Sequence, residues 1–168
     1  LGDVYKRQTG ASVTGAVGAT GATGVKGNDE SVILNVGTGS GTVEEDKLYY
    51  YHRSGSYDVW DKADANYVDK SKGLLGIAQG NGTPSSVGLF IKGTYTFATG
   101  THVDGSGVDK IGDPIYISDS TVGNMTMNLP GAGKTVRVVG YLINYNAGNS
   151  NCQIYFNPES TYIERTSS

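Results

Sequence analysis

The sequence predicts an all-β protein: a small antiparallel barrel or sandwich domain, preceded by a short collagen-like Gly-X-Y stalk and assembled as a trimer. Three observations carry this. Glycine recurs at every third position from Gly15 to Gly27. From Ser31 onward, short apolar or alternating runs are separated by Gly, Asn, Asp and Ser clusters, the pattern of strands and turns. No segment shows a convincing helical period with caps.

The repeat consists of Gly15, Gly18, Gly21, Gly24 and Gly27. A triple helix needs glycine at every third place, because only hydrogen fits at its crowded axis. Gly10 lies five residues before Gly15, so the frame breaks there. No X or Y place holds proline, and mostly alanine, valine and threonine fill them, so polyproline pre-organisation is missing. At about 3 Å per residue the segment reaches only ~45 Å. So short a triple helix depends on trimerisation by the domain that follows. A flexible Gly/Ala/Thr linker is the alternative reading. Five in-frame triplets favour the triple helix. Residues 10–30 are assigned to the stalk and residues 31–168 to the β domain. The opening Leu1–Gln8 resembles a translated adapter, and residues 1–9 are set aside as a scar or fragment end.

Composition narrows the function classes. The chain has 168 residues, enough for one domain plus an extension, and 26 of them are glycine. Its net charge of −3 gives no pull toward nucleic acid or an anionic membrane. No apolar run approaches the roughly 20 residues of a membrane span. Cys152 is the single cysteine, so no intrachain disulfide can close. Packing and oligomerisation must hold the domain. Tyrosine is abundant, with 12 copies, and suits half-buried strands and interfaces.

The predicted strands are Val32–Val36, Lys47–His52, Tyr57–Trp60, Leu74–Gln79 and Val87–Phe97. They continue with Pro114–Ser118, Met125–Leu129, Thr135–Tyr145, Cys152–Phe156 and Thr161–Glu164. Gly93 and Gly140 read as bulges or bends within strands. Ser54-Gly55, Asn81-Gly82 and Asp104-Gly105 mark turns. Asp61–Ser71 reads at most as one short helical turn. Many short strands about ten residues apart argue for a barrel or sandwich.

Tests for chemistry come out structural. Gly131-Ala-Gly-Lys-Thr135 suggests a phosphate loop, but the required earlier glycine is Asn128, and a strand follows instead of a helix. Gly37-Thr-Gly-Ser-Gly41 likewise precedes no helix, so a dinucleotide fingerprint is rejected. His52 and His102 have no ligand-spaced partners and read as strand-end or loop residues, with a three-fold-axis metal site as the minority reading. Glu44-Glu45-Asp46, Asp58, Asp61, Asp64, Asp69, Asp104, Asp109 and Asp113 read as solvated turns, since no full calcium-loop pattern is present. The sequons at Asn81 and Asn124 matter only in a eukaryotic secretory pathway. Neither a catalytic arrangement nor a cofactor motif has positive support. The expectation is a structural protein, not an enzyme.

The aromatic cluster Tyr49, Tyr50, Tyr51, Tyr57 and Trp60 forms a hairpin candidate around Ser54-Gly55. Alternation sends Tyr49, Tyr51 and Arg53 to one face and Tyr50 and His52 to the other. Core or interface is the favoured role. Sugar stacking is the alternative.

Five segments carry a family resemblance: Gly73-Leu-Leu-Gly-Ile-Ala78, Gly88-Leu-Phe-Ile-Lys-Gly93, Gly112-Asp-Pro-Ile-Tyr-Ile-Ser118, Val136-Arg-Val-Val-Gly-Tyr-Leu142 and Ile154-Tyr-Phe-Asn-Pro158. Together with the repeat they resemble the C-terminal domain of phage tail-fibre-like and uncultured marine phage structural proteins. The Gly112 and Val136 segments are also similar to small β domains of phage head decoration proteins. The resemblance spans roughly Gly15 to Arg165. It implies a trimeric fibre component, extracellular or on the virion surface, with no active site. Three functions are therefore expected in order: a homotrimeric fibre subunit, a self-assembling filament subunit joined through residues Gly10–Val36, and a glycan-binding adhesin at a fibre tip. The expected partners are further copies of the chain and, for the adhesin, a cell-surface glycan.

Overall fold

A computed structural model describes residues 31–37, 41–97, 102–148 and 151–166. The first half holds β1 (Val32–Leu34), β2 (Leu48–Ser54), β3 (Tyr57–Lys62), β4 (Leu75–Ala78), α1 (Pro84–Val87) and β5 (Leu89–Thr96). The second half holds β6 (Val103–Asp104), β7 (Pro114–Ile117), β8 (Met125–Thr126) and β9 (Thr135–Val136), then β10 (Val138–Asn146), β11 (Asn151–Phe156) and β12 (Ile163–Glu164). The protein is thus all-β. Asp61–Ser71 contains one 3-10 turn, Val68–Lys70.

One ten-stranded sheet runs β3-β2-β4-β5-β11-β10-β7-β8-β6, with β1 added to β5, while β12 and β9 pair separately. All pairs are antiparallel except β6 with β8. The sheet curls until its two ends meet. Leu48 N–H donates to the Gly123 carbonyl at 2.7 Å, Gly123 N–H to Ala63 at 2.8 Å, and Ala65 N–H to Ser118 at 3.1 Å. These bonds satisfy backbone groups that a flat sheet would leave at its edges.

Period-2 alternation fills the interior. Ile115 and Ile117 of β7 point inward, as do Cys152, Ile154 and Phe156 of β11. They join Leu48, Leu75, Phe90, Phe97 and Leu142 in the main core. A second cluster of Val43, Tyr49, Trp60, Ala78 and Leu89 lies on the other face of β2 and β4. Strands β2 and β4 are therefore covered on both sides, which explains the unbroken apolar runs Leu48–Tyr51 and Leu75–Ala78.

β1 and β4 both pair with Leu89 and Phe90, so they lie on opposite edges of β5. β11 pairs with β5 further along, from Gly93 to Thr96. Ile91 and Lys92 fall between the β4 and β11 ladders.

Several sequence boundaries are corrected. The strand expected from Val87 begins only at Leu89. Val87 instead closes α1, which has Pro84 in its first turn and ends at Gly88 with φ +80°. The expected strand Thr135–Tyr145 is two strands, and Arg137 at the break points inward. β6 was not expected. The hairpin strands β2 and β3 extend two residues beyond the expected ends, to Ser54 and Lys62.

Candidate assembly surface

The Gly-X-Y glycines Gly15, Gly18, Gly21, Gly24 and Gly27 lie outside the described residues. The described chain begins at Ser31, and Ser31 is held against β5. A Cβ placed on Gly93 would stand 2.9 Å from the Ser31 Cα. Gly93 has φ +123°, a conformation side chains resist. The register then runs Val32 opposite Lys92 and Ile33 opposite Phe90, with a bulge between them.

β1 is apolar at all three positions, a pattern that suits a strand covered on both faces. Yet Val32 is 43% exposed and Ile33 47% exposed. The nearby Val36 is also exposed, while its carbonyl accepts a 2.9 Å hydrogen bond from Trp60 Nε1. β1 is thus fixed through its backbone and leaves the Val32 and Ile33 side chains largely uncovered, with Leu34 half-buried.

A second uncovered apolar row lies on the outer face of the sheet. Tyr141 of β10 lies directly opposite Tyr155 of β11. Pro114 flanks Tyr141 and Thr94 flanks Tyr155, giving an uncharged row across β7, β10, β11 and β5. Tyr141, Ile143 and Tyr155 are exposed large side chains. Sequence reasoning missed this row. Alternation within β10 and β11 gives its signal, because Leu142, Ile154 and Phe156 take the inward places.

The hairpin aromatics are distributed unequally. Tyr49, Tyr50 and Trp60 are buried, Tyr51 is half-buried and Tyr57 is exposed. The Tyr49 hydroxyl accepts from Glu44 N–H at 2.8 Å, and burial pushes its pKa up. Tyr51 and Trp60 are cross-strand partners with ring centroids 4.8 Å apart. On the opposite face Tyr50 stacks on His52 at 4.7 Å, and His52 Nε2 meets Asp61 at 2.8 Å. A hollow of about 170 Å³ lies beside Trp60, lined also by Asp58, Asp61 and Pro84. Tyr51 and Tyr57 are the two hairpin aromatics with surface left to offer a ligand.

The remaining candidates are dispersed. His102 Nε2 is 3.7 Å from buried Asp46, which also accepts the Tyr95 hydroxyl at 2.8 Å. Cys152 is buried, and that burial pushes its thiol up to about 11. Such a thiol is a poor nucleophile. Glu44 pairs with Lys62, and Asp113 with Lys110. Asn124 is buried, so its sequon is covered, whereas Asn81 is exposed. Thr135 opens β9, so no helix N-terminus follows Gly131–Lys134. Among the described residues no group of three His, Cys, Asp or Glu could hold a metal ion. No helix among them is long and apolar enough to cross a membrane.

No family model matches the chain, and no curated protein or solved structure matches it either.

Proposed function

We propose that the chain is the structural subunit of a homotrimeric fibre, extracellular or on a virion, with the Gly-X-Y segment as stalk and the β domain as the trimerising unit. The observation that carries this reading is the placement of β1. The glycine repeat ends at Gly27, and four residues later Ser31 is pinned against Gly93 at the start of an exposed apolar strand. A triple helix holds three chains around one axis. Three copies of Ser31 would then converge, and the surfaces beside them would meet. Those surfaces are β1 and the Tyr141–Tyr155 row, both uncharged and both partly uncovered. A closed cyclic assembly buries the same patch on every copy. Sedimentation equilibrium on the full chain tests this, and a stable monomer at micromolar concentration overturns it.

A second reading has its own observation. β1 lies off the main strand path, and β5 is its one ladder partner among the described residues. A strand held this way can be supplied by a neighbouring trimer, giving a filament through main-chain hydrogen bonds. Deleting residues 1–36 separates the two readings. The filament reading expects polymer to vanish while trimers persist through the Tyr141–Tyr155 row. Polymer that survives the deletion refutes it.

A further inference from the structure

Arg137 breaks the alternation of its own segment. Thr135, Arg137 and Val139 take the inward places, and two of the three are ordinary choices. A guanidinium at an inward place violates binary patterning, and such violations concentrate at functional sites.

The side chain is 5% exposed. Its Nε donates to the Glu159 carbonyl at 2.7 Å and its Nη1 to the Ser71 carbonyl at 2.8 Å. Both acceptors are neutral. No carboxylate lies within ion-pair distance among the described residues. A buried charge ordinarily has a counter-charge, because desolvation is costly.

A second cation shares the same hollow. Lys92 and Arg137 both line a cavity of about 170 Å³, and the cavity has no acidic lining residue. The Lys92 ammonium has neither a hydrogen bond nor an ion pair among the described residues, while its backbone lies in the ladder opposite Val32. The remaining wall is largely apolar, from Leu74, Leu75, Ile91 and Pro158. The cavity exists because the sheet has a gap. The β4 ladder on β5 stops at Phe90 and the β11 ladder starts at Gly93. Ile91 and Lys92 face the space between the start of β4 and the end of β11. Its volume holds several waters and is therefore large enough for a small ligand.

We propose that this hollow binds a small organic carboxylate with a short apolar body. The carboxylate would sit on the Lys92 ammonium and on the Nη1–Nη2 edge of Arg137, whose N–H groups are not all taken by Glu159 and Ser71, since a guanidinium matches carboxylate geometry in pairs of parallel bonds. The apolar body would lie on Leu74, Ile91 and Pro158. The site is independent of the trimer reading.

The test uses the full chain with methyl-labelled leucine and isoleucine, titrated with sodium hexanoate. Saturable shifts at Leu74, Leu75 and Ile91 are expected. Methyl hexanoate, which lacks the charge, should bind at least about tenfold more weakly, and so should hexanoate to Lys92→Met. Lys92→Met carries the decision, because it keeps the backbone ladder and most of the apolar stem and removes only an ammonium that makes no ion pair among the described residues. Arg137→Lys, which keeps the charge and loses the fork, should weaken binding as well. Absence of saturable shifts, equal affinity for acid and ester, or inorganic phosphate binding in preference to hexanoate would each overturn the proposal.

Discussion

Ser31 and Gly93 touch so closely that a single methyl group on Gly93 would strike the Ser31 Cα, 2.9 Å away, and the Phe90 ring, 3.2 Å away. The contact ties Ser31, the first described residue, to β5, the longest strand of the first half. Gly93→Ala must both open this contact and hold φ near +123°. Strain of this kind costs about 1–3 kcal/mol. Urea unfolding should show a loss of that order, and the Val32–Leu34 amides should exchange faster than in the parent chain. Unchanged exchange would mean that β1 does not depend on this approach.

Tyr155→Lys, placed opposite Tyr141, tests the outer row. Both side chains are exposed, so the folded chain should lose no more than about 0.5 kcal/mol. In the proposed trimer the substitution brings like charges into an apolar seam. Sedimentation velocity should then show dissociation at concentrations where the parent chain stays assembled, with circular dichroism unchanged.

Trp60 holds the segment that follows β1 through its 2.9 Å bond to the Val36 carbonyl. Trp60→Phe keeps most of the buried ring and removes that donor. The expected loss is about 1 kcal/mol, the ordinary net value of one hydrogen bond. Denaturation followed by circular dichroism measures it. A far larger loss would show that the ring's packing against Tyr51 and Gly37 dominates.

His102 sets a pH dependence. Its Nδ1 is buried with no hydrogen-bond partner among the described residues, and its ring lies 6.0 Å from Phe97. Burial lowers its pKa, and the Asp46 carboxylate only partly opposes this. The unfolded chain therefore takes up the proton first. Stability contributed by the neutral ring is complete above about pH 6.5, the usual histidine value. It falls as pH drops below that value and levels off beneath the lower folded pKa. Thermal melts of the parent minus those of His102→Gln, taken from pH 8 to 4, should show this decline. A difference that grows on acidification would contradict the assignment.

Much of the fold was legible because strand alternation is local. Pro114–Ile117 and Cys152–Phe156 could be read residue by residue, with Ile115, Ile117, Ile154 and Phe156 inward. The α1 turn was also written in the chain, as Thr83, Pro84 and Gly88 in capping order. Its four residues are too few to carry a helical period, so the apolar Val87 was absorbed into the next strand. The aromatic hairpin was harder. Tyr49 and Tyr50 face opposite sides and are both buried, because one sheet face carries the main core and the other a second cluster. Nothing in Leu48–Tyr51 alone reveals that second cover. The gap between the β4 and β11 ladders depends on where β11 joins β5, a pairing more than fifty residues apart in the chain, so the Arg137 hollow was invisible, although Arg at an inward place was its signal.

The central claim is that three chains assemble through the surface beside Ser31. Its most direct test is the solution mass of the full chain by sedimentation equilibrium, compared with a variant that combines Tyr141→Lys and Tyr155→Lys. The account predicts three times the 17.6 kDa chain mass for the parent and a single chain mass for the variant. A parent that sediments as one chain, or a variant that remains trimeric, would contradict it.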